Sequence, residues 1–352
     1  PAALLGMFVL AYTGPGGGDA PDNTSEGLPS GAQDGKRIFD VIPDVRGSWA
    51  WGHTVAAMRG ITCLAARKDV DPERLGMTGY SAGGVATFLA SGQDPRIKVA
   101  VPLSGTLAWD KSALGANAWQ HELLKAAKLS VASPEWIKMM ATLIEPQMAL
   151  AALKAKVFLV NGSMDEFFPL VASNATWDAV ATEKRLSIAG NYDHGCFQVY
   201  GKAMPGGSAA IEAAASLRAR GAQRAWFRHH FKTDPNYAFL PQAPQVTFQG
   251  MGPGTLVTAV VDGGGAKLEV EDVRLWWSSD SGWVFGDLKM QDKGNGLWLA
   301  TAPALQTATS IAYVDVIYVT KGLIPEKFSL SSRPAMAPNQ APKVAKMTAC
   351  LP

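Results

Sequence analysis

The chain has few of the residues that mark metal sites or disulfide frameworks. Among 352 residues only three are cysteines and five are histidines. Cys63, Cys196 and Cys350 have no metal-ligand spacing, and an odd number of cysteines does not indicate a disulfide framework. No P-loop or dinucleotide-binding fingerprint is present either. The sequence therefore predicts neither a metal nor any other cofactor.

The sequence also lacks an excess of charge and a long apolar run. Its formal net charge is +2, which argues against nucleic acid or an anionic membrane as the main partner. The longest apolar run, residues 2–12, is too short to span a bilayer and lacks the pattern of a signal peptide. Because the chain begins with Pro1 rather than Met, we expect a further segment upstream of it. We favour a secreted or periplasmic location over a cytoplasmic one, and the sequence does not indicate the oligomeric state.

Residues 1–233 alternate β-branched runs with helical patterns, which is typical of a parallel sheet with crossover helices. Residues 107–155 are helical in pattern and longer than a single crossover, so we interpret them as a cap inserted over the sheet, with ordinary crossover helices as the alternative. The predicted strands cover residues 4–12, 37–42, 74–78, 99–103, 156–160 and 185–188. The predicted helices cover residues 54–68, 85–91, 171–182 and 208–231.

The pattern changes after a proline-marked boundary near residues 233–244. Beyond it, short strands separated by Gly, Asp, Asn and Ser predict an antiparallel β-sandwich over residues 240–340, followed by a tail at 341–352. The tryptophans of this part, Trp276 among them, fit either a sandwich core or a carbohydrate-binding platform. The predicted fold class is α/β, a doubly wound and mostly parallel sheet with a helical cap, followed by the sandwich. The sandwich strands are predicted at 245–248, 256–261, 267–270, 274–277, 297–300 and 311–320.

The strongest local signal is the sequence GYSAG at residues 79–83, between a predicted strand and a predicted helix. A nucleophilic serine on a sharp strand-to-helix turn needs small residues two positions before and after it, here Gly79 and Gly83. The pattern therefore predicts Ser81 as a nucleophile.

A nucleophile of this kind also needs hydrogen-bond donors for the oxyanion that forms when it attacks a carbonyl. The N–H of the residue after the nucleophile, Ala82, is the first candidate. The second donor comes from the loop after an earlier strand, and the glycine-rich residues 14–18 follow such a strand. Gly16 and Gly17 are the candidates there.

A serine needs a base to remove its proton, and the base needs an acid that fixes its tautomer. Asp165 comes directly after a predicted strand, and we expect its competitor Glu166 to point elsewhere as the loop turns. His194 follows the last predicted strand of the sheet and completes the chain order Ser, acid, His. The other histidines lack that order or setting: His53, His121, His229 and His230.

Together these motifs resemble the α/β-hydrolase superfamily. They are GPGGG at 14–18, DVRG at 44–47, DPERLGMTGYSAGG at 71–84, NGSMDEFFP at 161–169 and NYDHG at 191–195. The motif around Ser81 is especially similar to acetyl xylan esterases and prolyl-oligopeptidase-like branches. The resemblance covers residues 4–231 and implies acyl transfer by Ser81, Asp165 and His194. It departs from the family pattern because the usual first strands and a preceding β-propeller are absent, and the second absence weakens a peptidase interpretation.

The resulting hypothesis is a serine carboxylic ester hydrolase that forms an acyl-enzyme. Its partner would be a small-molecule or polysaccharide ester, including acylated carbohydrate. Tyr80, Trp49 and Trp51 are the candidate substrate-binding residues, with packing as the alternative. Two other functions stay open: a serine aminopeptidase or dipeptidyl peptidase, and a catalytically inactive glycan-binding protein.

Overall fold

The computed structural model describes about two thirds of the chain. The predicted strand at 37–42, most of the predicted cap, both Gly16 and Gly17, and the predicted tail lie outside the described residues. The described residues are 7–12, 14, 44–109, 111, 121, 146–194, 198–199, 202–203, 213, 216–250, 254–279, 285–302 and 310–336.

Four strands form a parallel sheet in the order β1-β2-β3-β4, as the alternating pattern predicts. Five of the seven residues of β2 are buried, as expected where helices cover both faces of a parallel sheet. The strands are β1 Leu75–Tyr80, β2 Ile97–Leu103, β3 Lys156–Gly162 and β4 Lys184–Ala189. The helices are α1 Trp49–Ala65, α2 Ala82–Gln93, α3 Leu170–Ala179 and α4 Gly221–Phe231, and a short hairpin joins β5 Gln198–Val199 to β6 Lys202–Ala203.

The two faces of the parallel sheet bury different helices. Phe88 of α2 shares a core with Ala100 of β2, whereas Trp226 of α4 shares another core with Val99 and Val101. Alternate residues of one strand point to opposite faces, so α2 and α4 lie on opposite sides of the sheet. The predicted sheet with crossover helices is confirmed at this level. Among the described residues, no helix combines the length and apolar character that a membrane crossing requires.

The prediction of a buried strand at residues 4–12 is wrong for the part that the structure describes. Residues 7–12 form no strand, and Phe8, Val9 and Leu10 are about half exposed. A strand needs a partner, and β1 has no described strand on its outer edge. The segment lies against α1 instead, since the ring centres of Tyr12 and His53 are 5.5 Å apart, and Arg67, two residues after the helix, places its guanidinium 4.0 Å from the centre of the Phe8 ring.

Residues 245–336 form two antiparallel sheets, one in the order β10-β9-β13-β14 with β15 beside β13, the other in the order β11-β12-β8-β7. Antiparallel strands in this part of the chain were predicted, whereas the sandwich arrangement and the domain boundaries stay predictions. The strands are β7 Gln245–Gln249, β8 Thr255–Val260, β9 Leu268–Ser278, β10 Gly286–Lys289, β11 Gln291–Asp292, β12 Leu297–Ala302, β13 Ile311–Thr320, β14 Lys327–Ser331 and β15 Ala335–Met336.

The strands predicted at 267–270 and 274–277 are one strand, β9. Its register with β13 shifts between Ile317 and Tyr318, which pair with Asp272 and Val270. The residue between those partners is therefore extra, as in a β-bulge. The polar residues at the bulge interrupt the apolar alternation, which is why the sequence suggested a turn.

The buried side chains of the two antiparallel sheets are continuous with the core of the parallel sheet. Val257 and Val314, one from each antiparallel sheet, belong to the same buried cluster as Phe158 of β3 and Trp226 of α4. Within the helix predicted at 208–231, the described residues form a π-helical turn at Ser216–Arg220 and then α4 from Gly221, where a Cβ would come within 2.6 Å of the Lys327 carbonyl oxygen.

Candidate active site

Ser81 occupies the sharp turn between β1 and α2. Its backbone has φ 58° and ψ −120°, a conformation that residues other than glycine rarely adopt. The turn is fixed on both sides, since Ser81 N–H donates to the Leu103 carbonyl at 2.9 Å and the Ser81 carbonyl accepts from Val85 N–H at 3.1 Å. The strained geometry presents the Ser81 hydroxyl above the end of the sheet.

Small residues were predicted to be needed at both Gly79 and Gly83, but the structure shows that need only at Gly79. At Gly79 a Cβ would lie 2.4 Å from the Gly83 carbonyl oxygen, so no side chain fits there. At Gly83 a Cβ would meet nothing within 4 Å. The second tight contact is one residue later, where a Cβ on Gly84 would lie 3.0 Å from the Cα of Gly105.

The predicted serine, histidine and aspartate are joined by hydrogen bonds. His194 Nε2 lies 2.7 Å from Ser81 Oγ, and His194 Nδ1 lies 3.1 Å from each carboxylate oxygen of Asp165. Their order along the hydrogen bonds is the one that a nucleophile, a base and an orienting acid require.

Asp165 is held by the backbone that follows it. Its Oδ1 accepts the N–H groups of Phe167 at 3.0 Å and of Phe168 at 2.8 Å. Both bonds are local, so the loop after β3 folds around the carboxylate and fixes its direction. The carboxylate is buried and faces the imidazole of His194.

The sequence suggested that Glu166 points away from the site, but in the structure it lies in the site. Its Oε2 accepts the backbone N–H of His194 at 3.0 Å, and the residue is 8% exposed. Burial, followed by the nearby charge of Asp165, raises the pKa of Glu166 to about 7. The contact joins residues 28 positions apart, and no local pattern in the sequence signals it.

Three aromatic rings surround the imidazole of His194. The Tyr80 ring stacks on it with 5.2 Å between ring centres, Phe167 lies 4.3 Å away and Phe168 lies 5.6 Å away. Tyr80 is half exposed, so it does not pack beneath the turn.

The pKa of His194 is raised above its ordinary value by a balance of opposing effects. Burial is the largest single effect and lowers the pKa. The charge and hydrogen bond of Asp165, with smaller contributions from Glu166 and Asp193, outweigh burial. The site therefore stabilises an imidazolium next to the serine.

Ala82 is the first residue of α2, and its N–H belongs to the first helical turn, whose donors have no partner within the helix. A small recess beside Ala82 is lined by aromatic, apolar and imidazole side chains, namely Trp49, Ala50, His53, Val85, Ala86, Leu89 and Trp109.

Trp49 and Trp51 lie in the first turn of α1, which Ser48 caps by accepting Ala50 N–H at 3.2 Å. The Trp49 ring contacts His53, with 4.7 Å between ring centres, whereas Trp51 is partly buried and does not line the recess. Of the two, the structure brings only Trp49 to the site.

His53 was not among the predicted site residues. Burial lowers its pKa to about 4, so the imidazole is neutral near pH 7. Its Nδ1 has no hydrogen-bond partner among the described residues and faces Gly14, where a Cβ would lie 3.4 Å from it. Its position four residues after Trp49 on a helix is the one signal that places both side chains on a common face.

One group of three potential metal ligands occurs among the described residues, and it is made of Glu183, His229 and His230. The Lys156 ammonium group lies 3.3 Å from both the His230 imidazole and the Glu183 carboxylate. A cationic side chain therefore already interacts with two of the three ligands.

Residues 44–194 match the model of the prolyl oligopeptidase family, Peptidase_S9. This match includes the turn at Ser81, the loop at Asp165 and His194. Residues 44–194 belong to the α/β-hydrolase superfamily. No curated protein matches the chain.

Several solved structures are similar to this chain. Acetyl xylan esterase 1 from Thermoanaerobacterium sp. JW/SL YS485 is 18% identical over 56% of this chain and 62% of that chain, with a TM-score of 0.43. The acetyl xylan esterase from Paenibacillus sp. R4 is 18% identical over 56% and 61%, with a TM-score of 0.42. The acylaminoacyl peptidase of Pyrococcus horikoshii is 22% identical over 41% and 24%, with a TM-score of 0.34. The chain thus covers less than two thirds of the esterases that it matches.

Proposed function

We propose that the protein is a serine hydrolase that cleaves carboxylic esters through an acyl-enzyme. The observation that carries this proposal is the continuous hydrogen-bonded series from Asp165 through His194 to Ser81. Membership of residues 44–194 in a superfamily of hydrolases supports it at the level of serine hydrolase chemistry.

In the proposed reaction the Ser81 hydroxyl attacks the ester carbonyl carbon while His194 Nε2 takes the hydroxyl proton. The carbonyl oxygen becomes an oxyanion that accepts a hydrogen bond from the N–H of Ala82. As the tetrahedral intermediate collapses, the carbon–oxygen bond to the alcohol breaks and the imidazolium gives its proton to the leaving alcohol. A water molecule then repeats the attack on the acyl-enzyme, and His194 again removes and returns the proton.

The carboxylate of Asp165 stabilises the imidazolium that forms in each step. The backbone donors at Phe167 and Phe168 hold the carboxylate in place, so it needs little reorganisation during the reaction.

As the substrate class we propose small acyl esters, including acyl groups on carbohydrate. The recess beside Ala82 supports this proposal because it is small and Trp49 and Trp109 are among its lining residues. A small recess favours a short acyl chain over a long one. Assays with p-nitrophenyl acetate, butyrate and octanoate test it, and a preference for octanoate would contradict the assignment.

Hydrolysis of peptide bonds by a serine peptidase is the second candidate, and the prolyl oligopeptidase family match favours it. Both reactions use the same three residues, so only the leaving group separates them. The kcat/KM for p-nitrophenyl acetate should exceed that for aminoacyl-p-nitroanilides if the protein is an esterase. Preferred cleavage of the anilides would support the peptidase instead.

A further inference from the structure

The turn that carries His194 begins in an unusual backbone conformation. It follows β4 directly, and Asn191 has φ 61°, a left-handed conformation that asparagine tolerates better than most residues. On one side the turn is bound to the loop of the acid, since Asn191 N–H donates to Ser163 Oγ at 2.8 Å and Met164 N–H donates to the Tyr192 carbonyl at 2.9 Å.

On its other side the same turn is bound to the antiparallel sheets. The Asn191 side-chain amide donates to the Phe285 carbonyl at 2.8 Å and accepts the Phe285 N–H at 2.8 Å. The pair reproduces the two hydrogen bonds of a β-bridge, although one partner is a side chain. Phe285 directly precedes β10 and is 2% exposed, so this anchor is part of the core.

A second contact with the antiparallel sheets involves Gly190, the residue before Asn191. A Cβ on Gly190 would lie 2.3 Å from the Trp276 ring, so the indole of β9 packs directly on the backbone of the turn. Trp276 in turn stacks on Tyr313 of β13, with 6.3 Å between ring centres. The indole therefore contacts hydrolase backbone here rather than forming a free aromatic platform.

The strand that leads into the turn is also attached to the antiparallel sheets. Ile188 N–H of β4 donates to Ser331 Oγ at 2.8 Å, and the hydroxyls of Ser187 and Ser329 are 2.6 Å apart. The Ser331 hydroxyl donates onward to the buried carboxylate of Asp315. The edge of the parallel sheet is thus held by β14 for the residues just before Gly190.

From these contacts we infer that the antiparallel sheets position the His194 turn, and that Asn191 is the positioning residue through which they do so. The inference rests on the proposed function, because it assigns the sheets a role in keeping His194 Nε2 within reach of Ser81. The hydrogen bonds of Asn191 go to Ser163 and Phe285 and not to Ser81, Asp165 or His194. Asn191 acts by fixing the turn three residues before His194 from two sides at once.

Asn191→Gly tests the inference, because glycine adopts the left-handed conformation freely and only the amide is lost. Displacing a catalytic group by about 1 Å can cost on the order of 100-fold in rate, so we expect kcat for p-nitrophenyl acetate to fall 10- to 100-fold. KM should change by less than about twofold, because no binding contact is removed. Asn295→Gly is the matched control, since Asn295 also has a positive φ, 53°, but lies exposed between β11 and β12 of the other antiparallel sheet.

Hydrogen exchange of the peptide spanning residues 184–194 gives a readout that does not depend on activity. Exchange should accelerate in Asn191→Gly and stay unchanged in Asn295→Gly. Asn191→Asp is the second variant should the glycine variant not fold. It keeps the size and the acceptor oxygen but places an oxygen against the Phe285 carbonyl, and it should show the same two effects.

The outcomes separate the two proposals. If the wild-type protein hydrolyses esters and a folded Asn191 variant keeps both its kcat and its exchange pattern, the positioning role is wrong and the proposed function stands. If exchange accelerates as expected but the wild-type protein neither hydrolyses esters nor reacts with a fluorophosphonate, the contact holds the turn and the proposed function is wrong.

Discussion

Glu166 and His194 are joined through the main chain, since Oε2 of the buried Glu166 carboxylate accepts the backbone N–H of His194 at 3.0 Å. The hydrogen bond holds the histidine loop against the acid loop. It also places a second carboxylate beside Asp165, and burial, followed by the charge of Asp165, raises the pKa of Glu166. The contact has consequences for both stability and activity.

Glu166→Gln should flatten the pH dependence of stability. Because the pKa of Glu166 is raised from 4.5 to about 7, the folded protein binds this proton more tightly than the unfolded chain does. The contribution of Glu166 to the free energy of unfolding should therefore fall as pH rises from about 4.5 to 7, by on the order of 2–3 kcal/mol. Glutamine keeps an acceptor oxygen for His194 N–H and does not ionise, so that fall should disappear.

Urea unfolding of the wild type and the variant on either side of this pH window measures the effect. Glu73→Gln is the matched control, because the Glu73 side chain is 79% exposed and should leave the pH dependence unchanged. An equal loss of stability with pH in Glu166→Gln and the wild type would contradict the role given to this carboxyl.

The pH profile of ester hydrolysis should rise with a midpoint above 6.5, the ordinary imidazole value. His194 must be neutral to accept the Ser81 proton, and the carboxylates around it raise its pKa. Asp165→Asn removes a charge and presents an amide N–H to His194 Nδ1 in place of a carboxylate oxygen, so the midpoint should move to lower pH. The rate should also drop, by on the order of 10⁴-fold, because the required imidazole tautomer is no longer fixed.

Profiles of kcat/KM for a substrate whose chemical step is rate-limiting measure the midpoint. A wild-type midpoint at or below 6.5, or an Asp165→Asn midpoint above that of the wild type, would contradict the electrostatic account.

Gly79→Ala and Gly83→Ala should have opposite effects, although both glycines flank Ser81 in the same motif. A methyl group at residue 79 would meet the Gly83 carbonyl oxygen at 2.4 Å, and this backbone atom cannot move aside as the end of a flexible side chain could. We expect a loss of about 1–3 kcal/mol in the free energy of unfolding and a large loss of activity. At residue 83 the space is open and the backbone is helical, so alanine should add up to about 1 kcal/mol.

Thermal unfolding of the two variants, each matched to the other in chemistry, decides the point. Equal destabilisation by both would mean that the turn requires small residues on either side, as the motif alone suggests.

Much of the candidate site could be predicted from local sequence. The turn at Ser81 and the loop at Asp165 each combine an apolar strand with a distinctive motif, and both signals lie within about ten residues. The contact of Glu166 with His194 could not be predicted, because it depends on how two loops meet in space. The same is true of Asn191, whose partner Phe285 is 94 residues away.

The main errors in the predicted fold also arise from information that local sequence does not contain. Residues 7–12 are apolar enough for a strand, but a strand also needs an edge to pair with, and their sequence carries no information on that. In β9 the bulge places polar residues where the alternation would require apolar ones, so one strand was predicted as two.

The central claim is that Ser81 is a nucleophile activated by His194. Treatment with a fluorophosphonate followed by peptide mapping tests it most directly, because the reagent bonds covalently only to an activated serine. We expect modification of the wild type at Ser81, none in Ser81→Ala, and very slow modification in His194→Gln. Ser81→Ala should also lose at least about 10³-fold in ester hydrolysis while unfolding like the wild type. Modification of a different serine, with activity retained in Ser81→Ala, would contradict the account.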